Sequence, residues 1–333
     1  MTKEISTLPT NSLDVQDMRM RICVLDDYED CAAQLVNWER LSGLGTVTIK
    51  TTRIPPEFLI AELREFDVIV CMRERTPLPR NLITQLTNLK LIVTTGPQNA
   101  SLDLSACREM GIVVCATRAG GTAVVELAWA LILSCMRGIP RAFESMANGG
   151  CEWKLGNELT GKTLGLLGLG RTGIRMAHIG AAFDMKVIAW SPNLTSLRSN
   201  QHGVQCVTKS ELFDASDVVS IHLALTDSTQ GIVGRDEISR MKPHSWLVNT
   251  SRAGLLDQFA LVAACKSHSI AGAMLDVHSI EPMHRDDPIR TTERIHLTPH
   301  IGYVTRETFT LWFNDAIENI LFFSRGIPLR VIS

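Results

Sequence analysis

Short apolar runs rich in Val, Ile and Leu alternate with segments of helical character from residue 21 almost to residue 300, and this alternation narrows the possible folds most. In the first third, "RICVLDD", "TVTIKT", "DVIVCM", "LKLIVTT" and "IVVCAT" read as strands. Between them "DCAAQLVNWERL", "PPEFLIAELREF", "PLPRNLITQL" and "LDLSACREMG" read as helices. Such strands are apolar on both faces, which fits a parallel sheet covered by helices on each side. "TAVVELAWALILSCMRG" follows as a helix apolar nearly all round, expected to be buried, between domains or between subunits. A second series has strands "KTLGLLG", "KVIAW", "VQCV", "DVVSIHL", "SWLVNTS", "AGAMLDV" and "RIHLTP". An amphipathic helix, "ETFTLWFNDAIENILFFSRG", comes last. Two successive α/β domains are the natural reading, and 333 residues are enough for two cores. The pattern does not say whether the last helix returns to the first domain.

A net charge of −2 gives no basic footprint for nucleic acid. The longest apolar stretches carry a charge or stop short of a membrane span. Residues 1–20 mix charges without an apolar core and read as a polar leader. Nine scattered cysteines without a CxxC pair fit reduced thiols, hence a cytoplasmic protein, and no metal-ligand spacing occurs.

"GLGRTG" places Gly168, Gly170 and Gly173 in the spacing of a dinucleotide-binding turn. The first glycine makes the turn, the second lets a pyrophosphate approach the backbone, and the third lets helix and strand pack closely. The next strand leads into "AWSPNLTSLR", with Ser191, Pro192 and Asn193 where a ribose-binding carboxylate is usual. A carboxylate there would repel a 2′-phosphate. Ser191, Asn193 and Thr195 instead offer donors, and Arg198, if the segment folds back as a loop, and Arg171 offer cations. NADP(H) is therefore favoured, with NAD(H) a looser alternative.

Three later strand ends carry strong chemistry: Arg252 after "SWLVNTS", Glu281 in "HSIEP" after "AGAMLDV", and His300 after "RIHLTP". An arginine can fork onto a carboxylate, and a histidine beside a carboxylate is a general acid/base. Each residue alone is more simply a surface ion pair, a turn or an ordinary histidine. Their joint placement behind a dinucleotide turn points to reduction of a 2-oxoacid.

The succession "GLGRTG", "MKPHSWLVNTSRAG", "LDVHSIEP" and "LTPHIG" resembles the D-specific 2-hydroxyacid dehydrogenases, from about residue 21 to the end of the chain. The resemblance implies a flavodoxin-like substrate domain, 21–119 with 302–333, and an inserted Rossmann-fold nucleotide-binding domain, 120–301. It implies Arg252 as substrate anchor, Glu281 as the partner of the histidine, and His300 as acid/base. By the same likeness Arg171 and Thr172 meet the pyrophosphate. His222, Ala224, Thr229, Thr250, Ser251, Asp276 and Gly302 line the cofactor, and the helix from Thr122 makes a homodimer.

"TTGPQNASLD" matches the loop whose backbone N–H groups take the substrate carboxylate in such proteins, but Pro97 has no N–H. Either Gln98 and Asn99, beside Gly96, supply the donors, or the substrate sits differently, or the stretch is an ordinary turn. Arg73 and Arg75 in "CMRERTPLP" resemble residues that meet a distal substrate anion, and they face one side if the strand stays extended. Read so, they predict 2-oxoacids with a second anionic or polar group; otherwise they are a solvated charge run. Competing functions are a dinucleotide-sensing, corepressor-like binding protein and oxidation of formate or phosphite, formate being disfavoured by Glu281 where a glutamine is typical.

Overall fold

The computed structural model describes residues 19–151 and 155–333, so the expected leader lies outside the described residues as far as residue 18. The chain forms two compact units: residues up to Gly120 together with Thr305–Ser333, and Gly121–Val304.

The first unit runs β1 (Met20–Val24), α1 (Ala32–Leu35), β2 (Gly45–Ile49), α2 (Leu59–Leu63), β3 (Val68–Cys71), α3 (Arg80–Ile83), β4 (Leu91–Thr94), α4 (Leu104–Glu109) and β5 (Val113–Ala116). All five strands are parallel, in the order β2-β1-β3-β4-β5. Every residue of β3 and β4 is buried, as an apolar run without alternation requires. "DCAAQLVNWERL" is not one helix. Val36 is extended, and the Asn37 side chain accepts the Glu39 N–H and starts a separate 3-10 turn over Trp38–Leu41.

The second unit opens with α5 (Ala123–Arg137), which Gly138 ends at φ +64°. Within the single chain one face of the helix is covered. Val125, Ala128, Trp129 and Ile132 face the core, but Glu126, Ala130 and Arg137 are exposed. An unanticipated helix, α6 (Ile139–Ala147), starts directly afterwards with Pro140 in its first turn.

Then come β6 (Thr163–Leu167), α7 (Arg171–Ala182), β7 (Lys186–Trp190), α8 (Ser196–Asn200), β8 (Gln205–Cys206), α9 (Lys209–Ala215), β9 (Val218–Ile221), α10 (Arg235–Arg240), β10 (Trp246–Asn249), α11 (Gln258–Lys266), β11 (Gly272–Leu275) and β12 (Ile295–Leu297). The seven strands are parallel, in the order β12-β11-β10-β9-β6-β7-β8. Residues of one strand feed two cores. Leu164 and Leu166 pack with α5 and α7, while Leu167 packs with Leu212 and Phe213 of α9 and Leu261 of α11.

α12 (Arg306–Phe323) belongs to the first unit, which settles the question the pattern left open. It packs on α1 and β4 and buries Phe309, Trp312, Phe313, Ile317 and Ile320. Asp315, nearly fully buried, accepts the Arg118 backbone N–H at 2.8 Å and the Arg118 guanidinium at 2.6 Å. The chain end was also not foreseen: Val331 forms an antiparallel bridge with Cys115, capping the open edge at β5. All nine cysteines are free thiols. Among the described residues no single helix is long and apolar enough to cross a membrane.

Candidate active site

In the second unit the strand order reverses between β6 and β9, and ligands of such sheets gather outside the carboxyl ends of the strands there. Gly168 follows β6 at φ +111°, and a Cβ on it would press on the His222 carbonyl that follows β9. A Cβ at Gly173 would overlap the Gly168 carbonyl oxygen. At Gly170 a Cβ would meet nothing within 4 Å. The first and third glycines are thus required by close packing, and the second leaves room for a ligand beside the backbone. Gly170 is also the N-cap of α7 and brings no side-chain acceptor, unlike Asp257 at α11 or Thr305 at α12. The positive end of a twelve-residue helix is left available to an anion, and its first residues are Arg171, exposed, and Thr172.

Further along this edge, Thr250 follows β10, and its buried hydroxyl has no hydrogen-bond partner. The open Gly170, the uncapped α7 and this hydroxyl fit a dinucleotide. Several of the other expected cofactor residues act within the protein. Thr229 donates to the Ala224 carbonyl at 2.7 Å and accepts the Thr226 N–H at 2.8 Å, closing the loop after β9. Ser251 donates to the Leu223 carbonyl at 2.6 Å. His222 shares a 2.8 Å hydrogen bond with Ser220, and burial lowers its pKa to about 4, so it is neutral near pH 7. After β7, Ser191 is half-buried and Pro192 and Asn193 are exposed. The next residues do not fold back as a loop. Thr195 caps α8 by accepting the Arg198 N–H at 3.3 Å, and Arg198 lies exposed on that helix.

Arg252, Glu281 and His300 leave β10, β11 and β12, three neighbouring strands. Arg252 donates to the Ser251 carbonyl at 2.8 Å, while its own carbonyl accepts the Asn249 amide at 3.0 Å. Glu281 uses both oxygens: Oε1 accepts the His278 backbone N–H at 2.9 Å, and Oε2 accepts His300 Nδ1–H at 2.6 Å. Burial alone would raise the Glu281 carboxyl, but the hydrogen bond and charge of His300 bring it below its ordinary value. With Nδ1 committed to the carboxylate, Nε2 is the ring atom left to exchange a proton.

His300 sits at φ +56°, a conformation that costs an L-residue about 1–2 kcal/mol. Asp276 holds it there. Its Oδ1 accepts from Thr298 Oγ1 at 2.6 Å and Ile301 N at 2.8 Å, and its Oδ2 accepts from Gly302 N at 2.8 Å. Asp276 is fully buried, and burial pushes its carboxyl above the usual range. Thr298 is held a second time, because its carbonyl accepts His278 Nε2–H at 2.9 Å. Thr298 and His278 escaped the sequence reading as site residues; both lie inside quoted motifs, but only the fold brings them together. Tyr303, whose ring meets that of His300 edge-on at 5.3 Å, was likewise missed.

In the first unit the expected anion-binding geometry is not present. Arg73 has φ +50°, so the chain turns after β3 and the alternate-position argument for Arg73 and Arg75 fails. Arg73 folds over Gly96 and donates to the carbonyls of Thr95 and Gln98, both at 3.2 Å. Asn99, expected to offer donors to a substrate, spends its side-chain amide on the Arg73 carbonyl at 2.8 Å and Thr94 Oγ1 at 3.1 Å. The Gly96 N–H donates to Thr117 Oγ1 at 2.6 Å. Gln98 is exposed, as are Pro97 and Ala100 of this loop.

The family described as "D-isomer specific 2-hydroxyacid dehydrogenase, NAD binding domain" matches residues 129–302. The chain is 36% identical to a hydroxypyruvate reductase of Thermotoga maritima over 297 residues, 87% of this chain and 93% of that protein. The chain belongs to the D-isomer specific 2-hydroxyacid dehydrogenase family. A D-3-phosphoglycerate dehydrogenase of Archaeoglobus fulgidus is 35% identical over 91% of this chain, but the matched part is 57% of that relative. The chain therefore spans little more than half of the phosphoglycerate dehydrogenases it matches. Among solved family structures, a phosphoglycerate oxidoreductase from Vibrio cholerae superposes with a TM-score of 0.87 at 35% identity, covering 92% of this chain and 99% of that one.

Proposed function

We propose that the chain is an NAD(P)-dependent reductase that interconverts a 2-oxoacid and a D-2-hydroxyacid. The 2.6 Å bond from His300 to Glu281 carries this reading, because it fixes the ring with Nε2 as the exchangeable position. A bound nicotinamide dinucleotide supplies the hydride. His300 donates its Nε2 proton to the carbonyl oxygen as negative charge develops there, and Glu281 stabilises the imidazolium that exists before donation. Arg252 holds the substrate carboxylate with its planar fork and polarises the adjacent carbonyl.

In this reading Gly121–Val304 carries the cofactor together with Arg252, Glu281 and His300. NADP(H) is the preferred cofactor, since no carboxylate follows Trp190 and Arg171 lies at the glycine turn. The protein works as a homodimer, supported by Phe143 and Met146 exposed on α6 at 72% and 67%. The test is a screen of glyoxylate, hydroxypyruvate, phenylpyruvate and 3-phosphohydroxypyruvate with NADH and NADPH. Turnover of at least one, with D-product, is expected; turnover of none would overturn the reading.

A further inference from the structure

Two segments that leave the sheet of the second unit are tied into a closed ring of hydrogen bonds, and His278 enters that ring twice. The first segment follows β11 and carries Asp276, His278 and Glu281. The second follows β12 and carries Thr298, Pro299 and His300. His278 donates its backbone N–H to Glu281 Oε1 at 2.9 Å. Glu281 Oε2 accepts His300 Nδ1–H at 2.6 Å. The His300 backbone N–H donates across Pro299 to the Thr298 carbonyl at 3.0 Å. The same carbonyl accepts His278 Nε2–H at 2.9 Å, which closes the ring.

The ring fixes the tautomer of His278. A carbonyl oxygen only accepts, so Nε2 carries the hydrogen, whether or not Nδ1 is also protonated. A backbone carbonyl has two lone pairs, and Thr298 gives one to the His300 amide and the other to the His278 ring. Thr298 cannot turn away from either. Its N–H donates to the Leu275 carbonyl at 2.9 Å and its hydroxyl to Asp276 Oδ1 at 2.6 Å. Asp276 therefore holds the backbone of the second segment, whereas the ring of bonds passes through the His300 side chain as well. His278 and Glu281 stand on one segment, Thr298 and His300 on the other, so the His278 ring makes the two move together.

We propose that His278 is a positioning residue for the acid/base pair. Its backbone N–H aims the Glu281 carboxylate, and its Nε2–H holds the carbonyl on which the His300 amide rests, so that Glu281 Oε2 and His300 Nδ1 stay in register. This rests on the reading of His300 as the acid/base of a 2-oxoacid reductase and adds a residue to it. A reacting group held about 1 Å out of place loses much of its rate, so a supporting bond of this kind shows in turnover rather than in cofactor affinity. An aromatic ring of the same size without the donor would fill the space and leave the two segments free to slide.

The test uses the full chain and three variants. His278→Phe keeps the ring volume without the donor, His278→Gln brings an amide NH2 near the place of Nε2, and His278→Asn is too short to reach it. The first readout needs no substrate. It is the exchange with water of the His300 Nδ1–H proton, followed by NMR in the cofactor-free chain and assigned by its absence in His300→Ala; a proton in so short a bond to a carboxylate resonates far downfield and is protected. The second is kcat for the 2-oxoacid that wild type turns over best. His278→Phe and His278→Asn should speed the exchange at least tenfold and lower kcat about tenfold, with KM for the dinucleotide within about twofold. His278→Gln should stay within about threefold of wild type in both readouts. A tenfold change is about 1.4 kcal/mol, the upper end of what one neutral hydrogen bond contributes. If His278→Phe does not fold, as judged by thermal melting, the contrast of His278→Asn with His278→Gln decides. Exchange and kcat unmoved while the melting temperature falls would make His278 a staple of the loop and overturn the proposal, and so would a His278→Gln variant as impaired as His278→Asn. If no 2-oxoacid is turned over the reductase reading fails, while the exchange rates still decide whether His278 places the His300 ring.

Discussion

Glu281→Gln tests the centre of the site with almost no change of shape. The carboxylate serves two donors, His278 N–H on Oε1 and His300 Nδ1–H on Oε2. A glutamine has one carbonyl oxygen, so its NH2 must face one of those donors, and one bond is lost whichever way it turns. The charge is lost as well. Opposite unit charges about 4 Å apart are worth about 4 kcal/mol at an effective dielectric near 20. The side chains here are 20% and 37% exposed, and solvent screening leaves roughly 1–2 kcal/mol of that. Without the carboxylate the ring is no longer held with Nε2 outward, so kcat for reduction at pH 7.5 should fall roughly tenfold or more. The stability sign is separate. The Glu281 carboxyl is lowered on folding, so its contribution is present above the unfolded carboxyl range of about 4.3 and is lost as pH falls through the folded value. The variant should therefore melt below wild type at pH 7, and the gap should close toward pH 3 to 4. The assays are steady-state rates at pH 7.5 and melting curves at several pH values. A kcat within twofold of wild type would show that the 2.6 Å contact does not govern proton transfer.

Other perturbations separate the remaining roles. His300→Ala should lower kcat by about two to four orders of magnitude with cofactor affinity nearly unchanged, and more than a tenth of the rate remaining would remove it from the reaction. Arg252→Lys should raise KM by an order of magnitude or more with a smaller loss in kcat, because the ammonium cannot fork onto a carboxylate; wild-type kinetics would move the anchor elsewhere. Ser191→Asp should reverse the preference of NADPH over NADH, read as the ratio of kcat/KM, and a wild type that already favours NADH would refute the premise. Asp276→Asn leaves at least one of three donors facing an amide NH2, so about 1–3 kcal/mol of stability in urea titration and most of kcat should be lost; an active, equally stable variant would show that the His300 loop holds its shape by itself.

The parts of this molecule that follow from regular backbone were legible in the sequence. The strands were, because a residue inside a parallel sheet must be apolar on both faces, and Val68–Cys71 and Leu91–Thr94 leave no other reading. Gly168 and Gly173 were, since each is demanded by a backbone neighbour that no side chain could accommodate. What was not legible depends on where a flexible side chain spends its hydrogen bonds. Arg73 and Asn99 had the right chemistry for a substrate, but the fold gives the Arg73 guanidinium to the Gln98 carbonyl and the Asn99 amide to the Arg73 carbonyl. Nothing near Arg75 in sequence announces Glu29, 46 positions away, as the carboxylate that takes its two prongs. The helix starting at once behind Gly138 was not expected, because the same glycine that stops α5 also begins the turn into α6.

His300 shows why such long-range bonds matter to chemistry. At φ +56° its backbone is in a region that a free histidine avoids, and the loop around it has no regular structure to enforce the conformation. The enforcement comes from the neighbouring strand: Asp276 follows β11 directly, and its three hydrogen bonds reach Thr298, Ile301 and Gly302, on either side of the histidine. Three bonds to a buried carboxylate outweigh a backbone cost of about 1–2 kcal/mol, so the unusual conformation is stable. Its result is that the ring presents Nδ1 to Glu281, a residue of the loop that Asp276 also begins. One carboxylate fixes the backbone of the histidine proposed as acid/base and a second fixes its ring. Both hang from β11, so the placement of that ring is referred to a single strand in the interior of the sheet, between β10 and β12.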